Sequence, residues 1–290
     1  MAVSVGGLTA QAAITCSITP PSAVNFAYVA NSDNTSPANV QQGAVSVTCT
    51  RTSSGDSTSL SLAVSDGLNK NGSTNNAQLV SGGNNYKISY DFFKDSACST
   101  TWANNSSTRI NATISNTTLN MPVTSTFPYW ACKPTAQSIS SYPSGQYTDR
   151  VDLTLYAGSS NAATAAIYVN LYAPAVCSIS NGPSTLTFSY NAFSPTAVFA
   201  GSSFKANCTN FLPYTMTLDP VSGAVGGLHY TLGLSLDAAG TASNTGPTSL
   251  SAQGNATGSS THYINGSMDA AQPGQSGTIV PQTHTLTITY

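Results

Sequence analysis

Two stretches of this chain are written to the same plan. From Cys16 it reads CSITPPSAVNFAYVANSDNTSPANVQQGAVSVTCT, and from Cys177 it reads CSISNGPSTLTFSYNAFSPTAVFAGSSFKANCT. Each opens on Cys-Ser-Ile, carries two aromatic residues two apart (Phe26 and Tyr28; Phe188 and Tyr190), and closes on Cys-Thr. The closing cysteines fall 33 and 31 residues after the opening ones. Further on, FPYWACKPTAQ (127–137) parallels HYINGSMDAAQ (262–272), ending on Ala136-Gln137 and Ala271-Gln272. Each half then finishes on an alternating segment, YTDRVDLTLY (147–156) and QTHTLTITY (282–290). Two divergent copies of one domain follow, because an internal repeat of this length is a structural unit met twice.

The repeat constrains the cysteines. Six of them permit fifteen pairings. Two copies with matching cysteines predict Cys16–Cys49 and Cys177–Cys208, leaving Cys98 and Cys132 to pair by elimination. Disulfides imply an oxidising compartment. The first residues agree: MAVSVGGLTAQAA has a short apolar run and the cleavage-like Ala10-Gln11-Ala12, so residues 1–12 are expected to be the remnant of a secretory signal.

Within each copy, apolar residues alternate over short runs such as VSVTC, SLSLAV, YKISYDF and VDLTLY, separated by Gly, Asn and Ser clusters. Period-two runs with turn signals between them point to an all-β fold, a β-sandwich in each half. Only 6% of the 290 residues are charged, the ten acids are all Asp, and the net charge is −2. Such a chain has no basic face for nucleic acid. With 14 Tyr and 9 Phe it can still fill a core.

The succession Cys-Ser-Ile, a second Cys some thirty residues on, an Ala-Gln turn and then Pro143-x-Gly145-x-Tyr147-x-Asp149 before a Thr-rich strand resembles the spore coat protein U domain. Such domains are subunits of archaic, Csu-type chaperone–usher pili. The second copy departs from the pattern, since it has no Tyr-x-Asp before its last strand. The resemblance implies immunoglobulin-like sandwiches that lack their final strand. A periplasmic chaperone fills the gap during export, an outer-membrane usher assembles the fibre, and an adjacent pilin then donates a strand. It further implies export through the periplasm to the cell surface.

On that basis Ala166–Tyr172 is expected to complete the first copy in cis, with Ile167, Val169 and Leu171 pointing inward. Residues 13–173 then form an N-terminal adhesin domain, self-completed by 165–172, and 174–290 a pilin domain that accepts a strand along Leu286, Ile288 and Tyr290. No donor segment is visible before Cys16, so the expected position is the tip of the fibre. The expected role is attachment to hydrophobic or abiotic surfaces, or to a host receptor, with biofilm formation. Adhesive candidates lie in loops at 51–58, 94–124 and 157–164 and on an early hairpin: Val29, Leu119, Met121, Pro122, Val123, Ala162 and Ala163. Leu119, Met121 and Val123 read equally as an ordinary core strand. Two alternatives are a structural subunit without an adhesive site, and a sugar-binding adhesin that stacks its ligand on Trp102 or Tyr129-Trp130.

Catalytic and metal chemistry find no support in the sequence, and no cofactor is expected. His229, His262 and His284 lie in separate segments. Ser202–Lys205 matches S-x-x-K without its companion motifs, GAVGGLH near Gly226 lacks a strand–loop–helix setting, and Asp91 with Asp95 reads as strand-end solvation. The sequon at Asn104-Asn105-Ser106 matters only in a eukaryotic setting.

Overall fold

The computed structural model describes residues 14–27, 40–72, 74–81, 83–115, 118–133, 142–236, 246–274 and 281–290. The signal remnant, Tyr28, Val29 and Ala136-Gln137 lie outside the described residues. Every regular element among the described residues is a strand, and the chain divides into two compact units, the first running to Tyr172 and the second taking residues 142–145 and the chain from Ala173 onward.

The first unit has ten strands: β1 (Thr15–Thr19), β2 (Val24–Ala27), β3 (Val40–Thr50), β4 (Ser59–Val64), β5 (Asn75–Ser81), β6 (Asn84–Phe93), β7 (Ile110–Thr113), β8 (Pro122–Cys132), β9 (Gly145–Ala157) and β10 (Ser160–Ala173). On one side β1, β3, β8, β6 and β5 pair in that order. On the other, β4 lies between β7 and β9, and β10 continues from β9 to β2. This is an immunoglobulin-like sandwich whose strands bury alternate residues.

Its core follows from the alternation. Val45, Val47, Ile88, Tyr90, Phe92 and Phe127 from one layer meet Leu60, Leu62, Val151, Leu153 and Leu155 from the other, all essentially inaccessible to water. Trp102 lies between the layers, edge-on to Phe92 with ring centroids 5.8 Å apart and tilted against Tyr129 at 5.4 Å. Its indole N–H donates to the Leu62 carbonyl at 2.8 Å, so the one polar atom of a large apolar ring is satisfied.

The second unit has eight strands: β11 (Cys177–Asn181), β12 (Val198–Cys208), β13 (Pro213–Asp219), β14 (Ser222–Val225), β15 (Leu228–Ser235), β16 (Ser249–Gln253), β17 (Ser260–Met268) and β18 (Thr285–Thr289). They form a five-stranded sheet, β11-β12-β17-β15-β14, and a three-stranded sheet, β16-β13-β18. Phe204, Ala206, Tyr214, Met216, Leu234 and Ile264 fill the space between them.

Three disulfides join Cys16 to Cys49, Cys98 to Cys132 and Cys177 to Cys208. The first and third link corresponding strand pairs, β1 to β3 and β11 to β12, at directly opposed residues.

Candidate functional site

The two units correspond strand for strand, and the correspondence is incomplete at one place. Pairing β1-β3-β8-β6-β5 in the first unit matches β11-β12-β17-β15-β14 in the second, and β7-β4-β9 matches β16-β13-β18. Registers agree in detail: Phe127 opposes Val45, as His262 opposes Phe204, each four residues before the closing cysteine. Only β2 and β10 have no counterpart strand among the described residues of the second unit. In the first unit those two are partners, pairing in parallel with Val169 opposite Val24 and Leu171 opposite Phe26.

β10 fills the gap between β9 and β2 and presents Ile167, Val169 and Leu171 inward, none of them with any exposed surface. Three aliphatic side chains so placed contribute about 1.5–3 kcal/mol each, gross. Its outward residues Tyr168 and Tyr172 are exposed.

In the second unit the corresponding edge is uncovered among the described residues. β18 pairs with β13 with Ile288 opposite Met216 and Leu286 opposite Leu218. In the first unit Leu155 opposes Leu62 and Leu153 opposes Val64, which makes Leu155 the counterpart of Ile288 and Leu153 that of Leu286. Leu153 and Leu155 are fully buried, whereas Leu286 and Ile288 are only half-buried and Tyr290 is 58% exposed. The apolar face exists in both units, but among the described residues a strand covers it only in the first. Unpaired edges of this kind present backbone N–H and C=O groups to any extended chain that can reach them.

The segment that would be the counterpart of β2, Leu186–Tyr190, forms no strand. Leu186, Phe188 and Tyr190 nevertheless pack, partly buried, against the second core. Gly266 on β17 makes this possible: a Cβ there would come within 2.5 Å of the Phe188 ring and 3.2 Å of Leu186. Leu186–Tyr190 and β18 thus pack against the same core, in the places that β2 and β9 hold on either side of β10 in the first unit.

The departure of the second copy from the Tyr-x-Asp pattern has a counterpart in side-chain chemistry. In the first unit Tyr90 donates to the Asp149 carboxylate at 2.7 Å, and Asn69 donates to the same carboxylate through its main-chain and side-chain amides. Burial pushes the Asp149 carboxyl above the usual carboxylate range, against these hydrogen bonds. Tyr230 occupies the place of Tyr90 in the second unit, and its hydroxyl is 2.7 Å from His284 Nε2, with Nδ1 of the same ring against the Pro220 carbonyl. His262 is likewise engaged with a tyrosine, Tyr214, at 2.7 Å, and burial lowers its pKa. His229 uses its main chain, bonding to Gln272 through both N–H and carbonyl.

The adhesive candidates are placed unevenly. Three hydrogen bonds gather the predicted loops at one end of the first unit: Asn120 N to Arg51 O at 2.7 Å, Ile114 N to Thr58 O at 2.8 Å and Gly158 N to Ser59 O at 2.9 Å. Leu119 and Met121 flank Asn120 on a turn and are 38% and 50% exposed. Pro122 is exposed at the start of β8, but Val123 is half-buried within that strand, opposite Cys49. Ala162 and Ala163 were expected in a loop and lie instead in β10, half-buried, because β9 and β10 are joined by only Gly158-Ser159, with Gly158 at φ 61°. The alternative of a sugar platform loses two of its three rings to packing. Trp102 and Tyr129 are each 2% exposed, and Trp130 is half-buried in β8, so no ligand ring can stack on the first two. Asp91 and Asp95 do not form a working pair. Asp95 caps the turn after β6 through the amides of Ala97, Ser99 and Thr100, while Asp91 faces the Asn75 amide.

Comparison with known proteins adds a family and a set of distant shapes. The model of the spore coat protein U domain matches residues 2–154. No curated protein sequence matches the chain. Among solved structures, the CupB6 tip adhesin from Pseudomonas aeruginosa is 10% identical, covers 95% of this chain and 95% of its own, and superposes with a TM-score of 0.44. A point mutant of the CFA/I adhesin CfaE of enterotoxigenic E. coli is 9% identical, covers 93% of this chain and 97% of its own, and gives a TM-score of 0.32. A chaperone–tip adhesin complex of CFA/I fimbriae contributes a chain at 9% identity, 94% and 97% coverage and a TM-score of 0.35.

Proposed function

The chain belongs to the spore coat protein U domain family, and from that premise we propose that it is a chaperone–usher pilus subunit whose second unit accepts a β-strand from another polypeptide. The carrying observation is the contrast between equivalent positions: Leu153 and Leu155 are sealed by β10, while Leu286 and Ile288 are half-buried with no strand beyond β18 among the described residues, and the cleft of this proposal is the gap left there between β18 and Leu186–Tyr190. The family match covers residues 2–154 of the first half of the chain and ends within β9. The strand that closes the first unit thus lies outside the matched domain.

The incoming strand adds to β18 through main-chain hydrogen bonds and fills the slot with alternate apolar side chains, the mode by which sheets recruit extended peptides. A periplasmic chaperone and then an adjacent pilin are its two sources, with the usher as the site of exchange. In this reading residues 13–173 are a self-completed domain, 174–290 are the acceptor, and the subunit stands at the fibre tip.

A synthetic peptide with the sequence of residues 164–173, TAAIYVNLYA, tests the acceptor reading on the full chain. It is expected to bind and to protect the amides of Thr285–Thr289 and Leu186–Tyr190 from hydrogen exchange. A peptide with Ser at the positions of Ile167, Val169 and Leu171 is expected to do neither. Equal protection by both peptides, or by neither, sinks the reading.

Attachment is assigned to the first unit, on one observation: Leu119 and Met121 are large, apolar and exposed on a turn whose centre is tied to Arg51. Apolar side chains held away from a core are available to dewet a hydrophobic surface. Leu119→Glu with Met121→Glu is expected to lower retention of the folded chain on polystyrene at least several-fold. Unchanged retention favours a structural subunit without an adhesive site here.

A further inference from the structure

Leu186–Tyr190 stays in place without a β-ladder, and the residues that hold it are identifiable. Gln272 is at their centre. Its side-chain oxygen accepts from the His229 amide at 2.6 Å, and its side-chain nitrogen donates to the carbonyls of His229 at 2.9 Å and Asp269 at 3.0 Å. The side chain is therefore bolted to β15 and to the end of β17. Its main chain faces the other way. The Gln272 amide donates to the Tyr190 hydroxyl at 2.8 Å, that hydroxyl donates back to the Gln272 carbonyl at 3.4 Å, and the Phe193 amide donates to the same carbonyl at 2.8 Å. The neighbouring Ala271 adopts φ 59° and donates its amide to the Ser194 carbonyl at 2.7 Å. At the opposite end of the segment the hydroxyls of Ser184 and Ser202 lie 3.0 Å apart.

We propose that Gln272, acting through the Tyr190 hydroxyl, is a positioning residue that holds the cleft of the second unit open for its incoming strand. The inference rests on the strand-acceptor reading and goes beyond it, assigning a role to residues that never touch the strand's ladder on β18. In the first unit β2 is kept in line by its parallel pairing with β10. In the second the clamp does that work before any strand arrives. Without it Leu186 and Phe188 are free to slide over Gly266 and close the slot, because apolar side chains gain by covering Leu286 and Ile288 themselves. A binding site populated only part of the time has its apparent affinity reduced by that fraction, and a preformed one avoids the ordering cost.

The experiment uses the full chain and the TAAIYVNLYA peptide, with two variants. Tyr190→Phe removes the hydroxyl and keeps the ring. Gln272→Ala removes the bolt to β15. Loss of these hydrogen bonds, two for Tyr190→Phe and three for Gln272→Ala, is expected to raise the peptide Kd about fivefold to tenfold, with faster amide exchange at Leu186–Tyr190 in the free chain. The thermal midpoint of the second unit should move little for Tyr190→Phe. A merely structural role predicts the opposite split, a lowered midpoint with unchanged peptide affinity, and that result overturns the inference. Where Gln272→Ala does not fold, Tyr190→Phe carries the test. Absence of binding by the unmodified chain overturns the acceptor reading and this inference together, whereas normal binding by both variants overturns only the clamp.

Discussion

Leu155 and Ile288 are one position met twice, and truncating both to Ala separates a sealed site from an open one. Leu155→Ala leaves a void in a fully buried layer, where β4 lies on one side of β9 and β10 on the other. Such truncations cost about 2–5 kcal/mol, part transfer free energy and part cavity. Ile288 is half-buried and, among the described residues, has β13 on one side only. Its truncation removes less apolar area from the interior and creates no closed void, so about 1–2 kcal/mol is expected at roughly 25 cal/mol per Å². The assay can tell the units apart. Both tryptophans, Trp102 and Trp130, belong to the first unit, so their fluorescence follows that unit in urea while circular dichroism follows both. Leu155→Ala should shift the fluorescence transition strongly. Ile288→Ala should leave it in place and shift the remaining transition slightly. With saturating strand peptide, the cost of Ile288→Ala should rise toward that of Leu155→Ala. Equal costs without peptide, or no rise with it, would refute the claim that a missing neighbour strand distinguishes the two sites.

Three further outcomes are expected. Burial pushes the Asp91 carboxyl up from 3.8 to about 6, the Asn75 amide working against the rise and the charge of Asp66 adding to it. A raised carboxyl favours the folded state below about pH 4 and loses that contribution as pH climbs through 6. The fluorescence midpoint in urea should therefore fall between pH 4 and pH 7 by the equivalent of about 1–2 kcal/mol, after allowance for solvent screening, and Asp91→Asn should flatten the profile. Gly67→Ala would drive a Cβ into Asp149 Oδ2, well inside van der Waals contact with a carboxylate already held by Tyr90 and Asn69. About 1–3 kcal/mol of overpacking cost is expected, read as a lower fluorescence midpoint in urea. Replacing Cys177 and Cys208 by Ser opens a loop with a sequence separation of 31, which should destabilise the second unit by about 3–4 kcal/mol, measured by calorimetry, and leave the fluorescence transition unchanged.

Much of the architecture is legible in the chain itself. Alternation in VDLTLY and TLTIT specifies a strand with one apolar face wherever it occurs, because side chains in an extended backbone point to opposite sides in turn. Matching cysteines and the aromatic pair announce a repeated unit. Other features resist such reading because they depend on partners distant in sequence. Ala162 and Ala163 are small residues that suit a loop or a strand, and only the two-residue turn at Gly158-Ser159 places them in β10. Trp102 follows a run of polar residues, yet β4 and β6 close over it from opposite layers. Gln272 looks like any surface amide until His229, 43 residues away, and Tyr190, 82 residues away, are brought to it.

Local sequence is enough to specify an all-β chain with a repeated unit, and which residues of each strand are apolar. Whether an apolar face is covered is not a local property. Leu155 and Ile288 sit in nearly the same words, LTLY and LTITY, with the same partner strand on one side. That one is sealed and the other open is settled by tertiary packing, since burial requires a second neighbour, and among the described residues β9 has β10 beside it while β18 has no such strand.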